Sequence, residues 1–347
     1  LVSRIPDEDM SEYGGAYPRR LEWLPGFGGS AGPAVVLADP ALSPSAAIFV
    51  DGRYTLQVRE QVDGRLYAYE GTPQSMPADW LGLHAPQGAA IGYDAWLHDV
   101  KWVEAATRAL AARGGRLVAV EGNPVDAVWQ DRPAPSPAPA LVHPGDLAGE
   151  SSEAKRAMVS EWLAARGHDA VVVTALDSVA WLLNVRGSDV ERTPVTLSFV
   201  VARADGTADF YIAPEKVTPE LRQHLGNAVN ILPRDQFVPG LEALAGKRVA
   251  VDPERAVAGV FDALRRAGAQ VVEERDPTVI PRATKNPVEQ QGQRDAQKRD
   301  GAAMSRFLHW LDGEGPTGTV TEISAADRLE SLRKQCGDLR DLSFDTI

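Results

Sequence analysis

TALDSVAWLLNVRGSDVERTPV, residues 174–195, is the stretch that decides the fold. Its apolar run, Val179 to Leu183, is hemmed by Asp177 and Asp189, Arg186 and Arg192, Gly187 and Pro194. The spacing predicts a short helix that buries Val179, Leu182 and Leu183. Asp177 is expected to cap it, and Trp181 to lie in the core. Arg186, Asp189 and Glu191 follow around Gly187. A catalytic acid–base set of this kind would need perturbed carboxylates in a cleft. A structural hydrogen-bond network at a domain junction is the expected reading.

C-terminal to this run, Leu197–Val201 and Ala208–Ile212 read as strands around an Asp205-Gly206 hairpin turn. A helix from about Thr218, a strand over Arg248–Val251, a helix over Ala256–Ala267 and a strand over Gln270–Glu273 follow. The first half has the same order. Strands Ala34–Leu37 and Ala46–Val50 flank a turn at Asp39-Pro40, and a short helix starts near Arg53. Strand Ala89–Gly92, helix Val100–Ala112 and strand Arg116–Val120 come next. Asp94 and Asp252 hold matching places, as do Pro124 and Pro277. Two related α/β domains in tandem explain this better than a chance match, because the order persists through most of both halves.

Pro133, Pro135, Pro137, Pro139 and Pro144 mark a stiff, extended spacer between the halves. The last segment is helical. Asn286, Pro287 and Glu289 form a helix start with a capping box. Met304, Phe307, Leu308 and Leu311 lie at helical spacing, with Trp310 also expected in the core. A second helix follows Thr321, with Ile323, Ala326, Leu329 and Leu332 on one face. Two such helices and a strand over Leu342–Ile347 cannot cover those faces alone. They are expected to be the start of a larger domain, cut before its chemistry begins.

The 347 residues are 44% hydrophobic and 24% charged, an ordinary globular composition. A net charge of -12 argues against nucleic acid and anionic membrane as partners. The single cysteine, Cys336, excludes an internal disulfide framework and fits a cytoplasmic setting. No apolar run reaches the roughly 18 residues of a membrane span. The histidines, His84, His98, His143, His168, His224 and His309, lack zinc-site spacing. Gly26–Ala31 nearly spells a dinucleotide fingerprint, but a strand rather than a helix is predicted after it.

Several motifs in order carry a resemblance. They are Tyr13 ahead of Arg19-Arg20, Gly26–Gly32, the tetrapeptide Asp51-Gly52-Arg53-Tyr54, and Trp129–Pro133. Thr174–Val195, Thr284–Glu289, Thr321–Glu330 and Asp341–Ile347 complete the set. The chain resembles the aminopeptidase P family, the Xaa-Pro aminopeptidases among the creatinase/prolidase-like metallopeptidases. The resemblance implies an α/β fold of two tandem creatinase-like domains with mixed sheets, residues 1–145 and 146–283. The first helices of a pita-bread catalytic domain, 284–347, would follow. It implies an enzyme that removes the residue before an N-terminal Xaa-Pro bond, with two divalent metals, manganese expected, and a homodimeric state. The metal ligands of the family lie downstream, so no metal and no catalytic residue are expected on this span.

Arg53 is the one site residue carried over, as a substrate-binding group for peptides with proline at the second position. Gly52 would allow a tight exit from the preceding strand. The guanidinium would offer a planar fork to a peptide carbonyl or carboxylate. Without the resemblance, a surface salt bridge to Asp51 or Glu60 would be the better reading. The rival reading of the whole chain is a non-catalytic binding module of the same architecture.

Overall fold

Two stretches of consecutive apolar residues, Ala46–Val50 (β3) and Ala170–Val173 (β8), are buried along their whole length. Strands buried on both faces belong inside a sheet with layers on either side, and each of these sits within its own six-stranded sheet. The computed structural model describes residues 2–4, 8–10, 14–337 and 339–344. The first sheet also contains β1 (Val2–Arg4), β2 (Pro33–Val36), β4 (Ala68–Gly71), β5 (Ala90–Tyr93) and β6 (Arg116–Ala119). Its order is β4-β3-β2-β1-β5-β6.

Beyond it come β7 (Leu141–Val142) and β9 (Val185–Arg186), an antiparallel pair. The second sheet joins β8 to β10 (Ser198–Arg203), β11 (Ala208–Ile212), β12 (Val229–Pro233), β13 (Arg248–Val251) and β14 (Gln270–Glu273). Its order is β12-β11-β10-β8-β13-β14. The two sheets have one topology. In each, the first strand is antiparallel to the second and parallel to the fifth. The mixed sheets and the tandem repeat are as the sequence predicts.

The repeat extends to hydrogen bonds. Asp94 Oδ1 accepts from the amide of Trp96 at 2.9 Å, and Asp252 Oδ1 from that of Glu254 at 2.9 Å. The second oxygen of each reaches the turn after the last strand. Asp94 takes Asn123 Nδ2 at 3.0 Å, and Asp252 takes the Asp276 amide at 2.8 Å. Asn123 and Asp276 then accept from the amides of Val125 and Thr278. Each buried aspartate thus pins the end of a central strand to the end of an edge strand.

These strand ends also join the halves. The amide of Ala258 donates to His98 O at 2.7 Å, and that of Gly259 to Ala95 O at 2.8 Å. Asp99 and Val257 form an antiparallel bridge. Such main-chain pairing across a domain boundary leaves no room for a side chain. A Cβ on Gly259 would lie 2.9 Å from the Trp96 ring.

The predicted capping box is present: Glu289 N donates to Asn286 Oδ1 and Asn286 N to Glu289 Oε2, both at 3.0 Å. Helix Pro287–Glu314 begins there and packs on helix Glu322–Gln335. Ala303 and Leu332 are buried, whereas Leu308 (53%) and Ile323 (76%) remain exposed. Trp310 is half-buried rather than core, set against Phe307 and Arg328. Ser343 and Phe344 form bends and Leu342 is irregular, not the expected strand, and 345–347 lie outside the described residues, as does Tyr13. No described helix is long and apolar enough to cross a membrane.

Candidate functional site

Arg53 leaves the sheet at the end of β3. Asp51 caps the short 3₁₀ turn Gly52–Tyr54 that follows. Its Oδ1 accepts from the Arg53 amide at 2.9 Å and from Arg53 Nε at 3.0 Å, and its Oδ2 from Arg53 Nη2 at 2.7 Å. The guanidinium lies over the Tyr54 ring, 5.0 Å from its centroid. Hydrogen bonds from Arg53 hold the Asp51 carboxyl near pKa 2. The Asp51 ion pair named as the bland alternative therefore forms. It also fixes the direction of a side chain that is 65% exposed, which is the arrangement a binding arginine needs. Gly52 has no positive φ, and an added Cβ would meet nothing within 4 Å, so the exit from the strand does not require glycine.

The glycine-rich loop packs beside this turn. Ser30 Oγ and Tyr54 Oη are 2.5 Å apart. The Gly28 amide donates to Gln61 Oε1 at 3.0 Å, and Phe27 meets Tyr54 edge-on. A Cβ on Gly29 would fall 2.3 Å from the Phe27 ring, and one on Gly32 2.7 Å from Phe49 O. The glycines thus let the chain wrap closely around a buried phenylalanine. β2 follows the loop, so no helix N-terminus is available for a dinucleotide phosphate.

The 174–195 stretch folds into helix Leu176–Leu183, with one departure from the expected roles of its polar residues. Asp177 is not the cap. Ala175 holds that position, and Asp177 pairs instead with Arg282 and, at 3.5 Å, Arg255. The C-terminal carbonyls of this helix collect side-chain nitrogens, two of them cationic. Arg186 Nη1 donates to Ala180 O, Lys155 Nζ to Trp181 O, and His224 Nε2 lies 2.9 Å from Leu183 O. Positive charge at a helix C-terminus offsets the macrodipole. Asp189 sits elsewhere, buried against Lys216, Thr196 and the Leu197 amide, and Glu191 faces Arg192. Arg186, Asp189 and Glu191 therefore do not meet in one network, but the buried contacts of Arg186 and Asp189 are structural, as expected, and no catalytic set is formed. Lys155 and Lys216, both buried, had no sequence signal beyond an isolated charge.

His143 lies beside this cationic end, its amide donating to Asn184 O at 2.8 Å. Burial, and then the charges of Arg186 and Lys155, push its imidazole pKa down to about 4. The unfolded chain takes up this proton near the ordinary 6.5, the folded chain only near 4. Between those values the unfolded state binds more protons, so stability falls as pH drops. His143→Asn is expected to remove that share of the slope. Urea unfolding of both proteins from pH 7 to 4 measures the difference; parallel curves refute it.

A groove of about 500 Å³ runs between the halves, lined by Asp9, Met10, Leu176, Asp177, Val190 and Arg255 among others. Among the described residues no group of three or more His, Cys, Asp or Glu side chains is placed to hold a metal ion. The described residues thus do not fit a metal pair.

Residues 16–128 match the family model described as the creatinase/prolidase N-terminal domain, and residues 131–289 match a second model of that description. The chain is 36% identical over 358 aligned positions to the "Probable Xaa-Pro aminopeptidase P" of Aspergillus flavus, covering 99% of this chain and 54% of that protein. The protein of the same description from Aspergillus niger is 34% identical, with 99% and 57% covered. Among solved structures, X-prolyl aminopeptidase from Caenorhabditis elegans, described as a cytosolic enzyme with a di-nuclear active site, superposes with a TM-score of 0.89 at 30% identity. That match covers 100% of this chain and 57% of the other. The chain spans about half the length of the curated relatives it matches. With its two sheets of one topology matched in turn, the chain belongs to the creatinase/prolidase family and carries two of its N-terminal domains in tandem.

Proposed function

We propose that this chain is the substrate-admitting part of a cytoplasmic, homodimeric Xaa-Pro aminopeptidase. In this reading residues 1–145 and 146–283 are its two creatinase-like domains and 284–347 open its pita-bread catalytic domain. The Xaa-Pro bond is a tertiary amide without N–H, and its ring restricts the backbone. A peptidase that clamps that N–H handles it poorly. A shaped entrance that grips the peptide elsewhere suits it. Arg53 is the proposed grip, and the two domains narrow access to short peptides. Hydrolysis, with two manganese ions as cofactors, is assigned to residues outside this chain.

The observation that carries this reading is the orientation of Arg53. An exposed guanidinium is held at the end of a buried strand by a carboxylate and a ring, in a chain alike along its whole length to an X-prolyl aminopeptidase. In the parent enzyme, Arg53→Ala is expected to raise KM for an Xaa-Pro tripeptide by about 10- to 100-fold, the worth of a charge-assisted hydrogen bond. Unchanged KM would remove Arg53 from the site. The 347 residues alone, supplied with manganese and the same peptide, are expected to show no turnover. A parent protein that binds the peptide yet never cleaves it would favour the binding-module reading.

A further inference from the structure

We infer that Tyr54 and Ser30 form a clasp that sets both Arg53 and the glycine-rich loop as one preorganised wall of the peptide site, so that Tyr54 is a positioning residue for peptide affinity. The inference rests on the proposed role of Arg53 and deepens it.

Tyr54 meets three partners at once. Its ring underlies the Arg53 guanidinium at 5.0 Å. The ring also takes the edge of Phe27, with centroids 5.7 Å apart at an interplanar angle of 86°. Its hydroxyl pairs with Ser30 at 2.5 Å, at an exposed position. A hydroxyl pair in water contributes little to folding. It does join two segments 24 residues apart, and so determines where the loop stands relative to the arginine. Gln61 adds a second tie through the Gly28 amide. Gln61 Oε1 is itself held by Gln57 Nε2 at 3.2 Å, within the helix that follows the turn. The end of the loop also packs closely on β3, since a Cβ added at Gly32 would stand 2.7 Å from Phe49 O. Arg53 is constrained from the other side by the Asp51 fork. Carboxylate, guanidinium, ring, hydroxyl and loop therefore form one connected unit on the surface.

A group held in this way affects binding through geometry. A guanidinium displaced by an ångström loses much of its hydrogen bond to a peptide carbonyl or carboxylate, without changing the fold. The clasp should therefore appear in KM and leave both turnover and melting temperature alone.

The test is a double-mutant cycle in the parent enzyme with an Xaa-Pro tripeptide. Tyr54→Phe removes only the hydroxyl and keeps the ring under Arg53. Ser30→Ala removes its partner. Each is expected to raise KM by about 3- to 10-fold with kcat within about twofold. The double variant should match the single ones, because both cut the same link. Tyr54→Leu, which also removes the ring, should raise KM further. Unchanged KM in both hydroxyl variants, or effects that multiply in the double variant, would overturn the clasp. So would a fall in kcat or in melting temperature that accounts for the loss. Arg53→Ala measured alongside separates the two claims. If it raises KM while Tyr54→Phe and Ser30→Ala do not, only the clasp fails. If it leaves KM unchanged, the proposed site itself fails.

Discussion

Lys216→Met is expected to cost about 3–5 kcal/mol of stability, the largest loss from any single change considered for this chain. Lys216 Nζ and Asp189 Oδ1 are 2.5 Å apart, with side chains 2% and 0% exposed. Asp189 also accepts from Thr196 Oγ1 at 3.0 Å and from the Leu197 amide at 2.7 Å. Removing the lysine leaves a carboxylate buried without its counter-ion, and that charge cannot move to water. Lys216 also holds the proline-rich spacer, its carbonyl taking the Ala140 amide at 3.0 Å. Asp189→Asn combined with Lys216→Met removes both charges and should recover a large part of the loss. Equilibrium urea unfolding of the three variants decides. A single-variant loss below about 1 kcal/mol, or a double variant as unstable as the single one, would show that the pair contributes little.

Gly259→Val is expected to lower stability by about 1–3 kcal/mol through overpacking, and to loosen the two domains from one another. A Cβ alone would press on Trp96 at 2.9 Å, and valine adds two methyl groups. Trp96 packs against Phe237 on its other flank, with centroids 6.4 Å apart, and so has limited room to yield. The donors lost are those of Ala258 and Gly259 to the other domain. Calorimetry should show the melt broadening or splitting into two transitions as the domains uncouple. Gly259→Ala should fall between the parent and the valine variant. A single sharp transition at the parent temperature would mean that this contact does not couple the domains.

Periodicity and turn chemistry exposed the elements that have strong local signals. Ala208–Ile212, Arg248–Val251 and Gln270–Glu273 were readable as strands, and Asn286-Pro287-Glu289 as a helix start, to the residue. The matched aspartates, Asp94 and Asp252, revealed the repeat because a short acceptor after a strand has a local job to do. Helix Ser152–Arg166 and strands β8 and β12 have weaker local signals. Their apolar runs are short or are interrupted by charged residues such as Lys155 and Arg156, which are buried only because carbonyls from distant segments receive them. An acidic residue near a helix start has the chemistry of a cap, but the helix begins at Leu176, so Asp177 falls in its first turn and pairs with Arg282 and Arg255.

The order of residues alone was enough for the two α/β halves, the spacer between them and the family resemblance. Each rests on neighbours within a few positions or on a recognisable string. It also offered the Asp51 ion pair of Arg53, two positions away, but could not tell that Ser30 would reach Tyr54 or that Lys216 would meet Asp189. Hydrogen bonds and ion pairs act over about 3 Å, whereas these partners lie up to 27 residues apart in the chain. Only folding brings them within that range. The Ser30–Tyr54 and Lys216–Asp189 contacts are therefore products of tertiary structure, whereas the fork that holds Arg53 is as local as the outline of the scaffold.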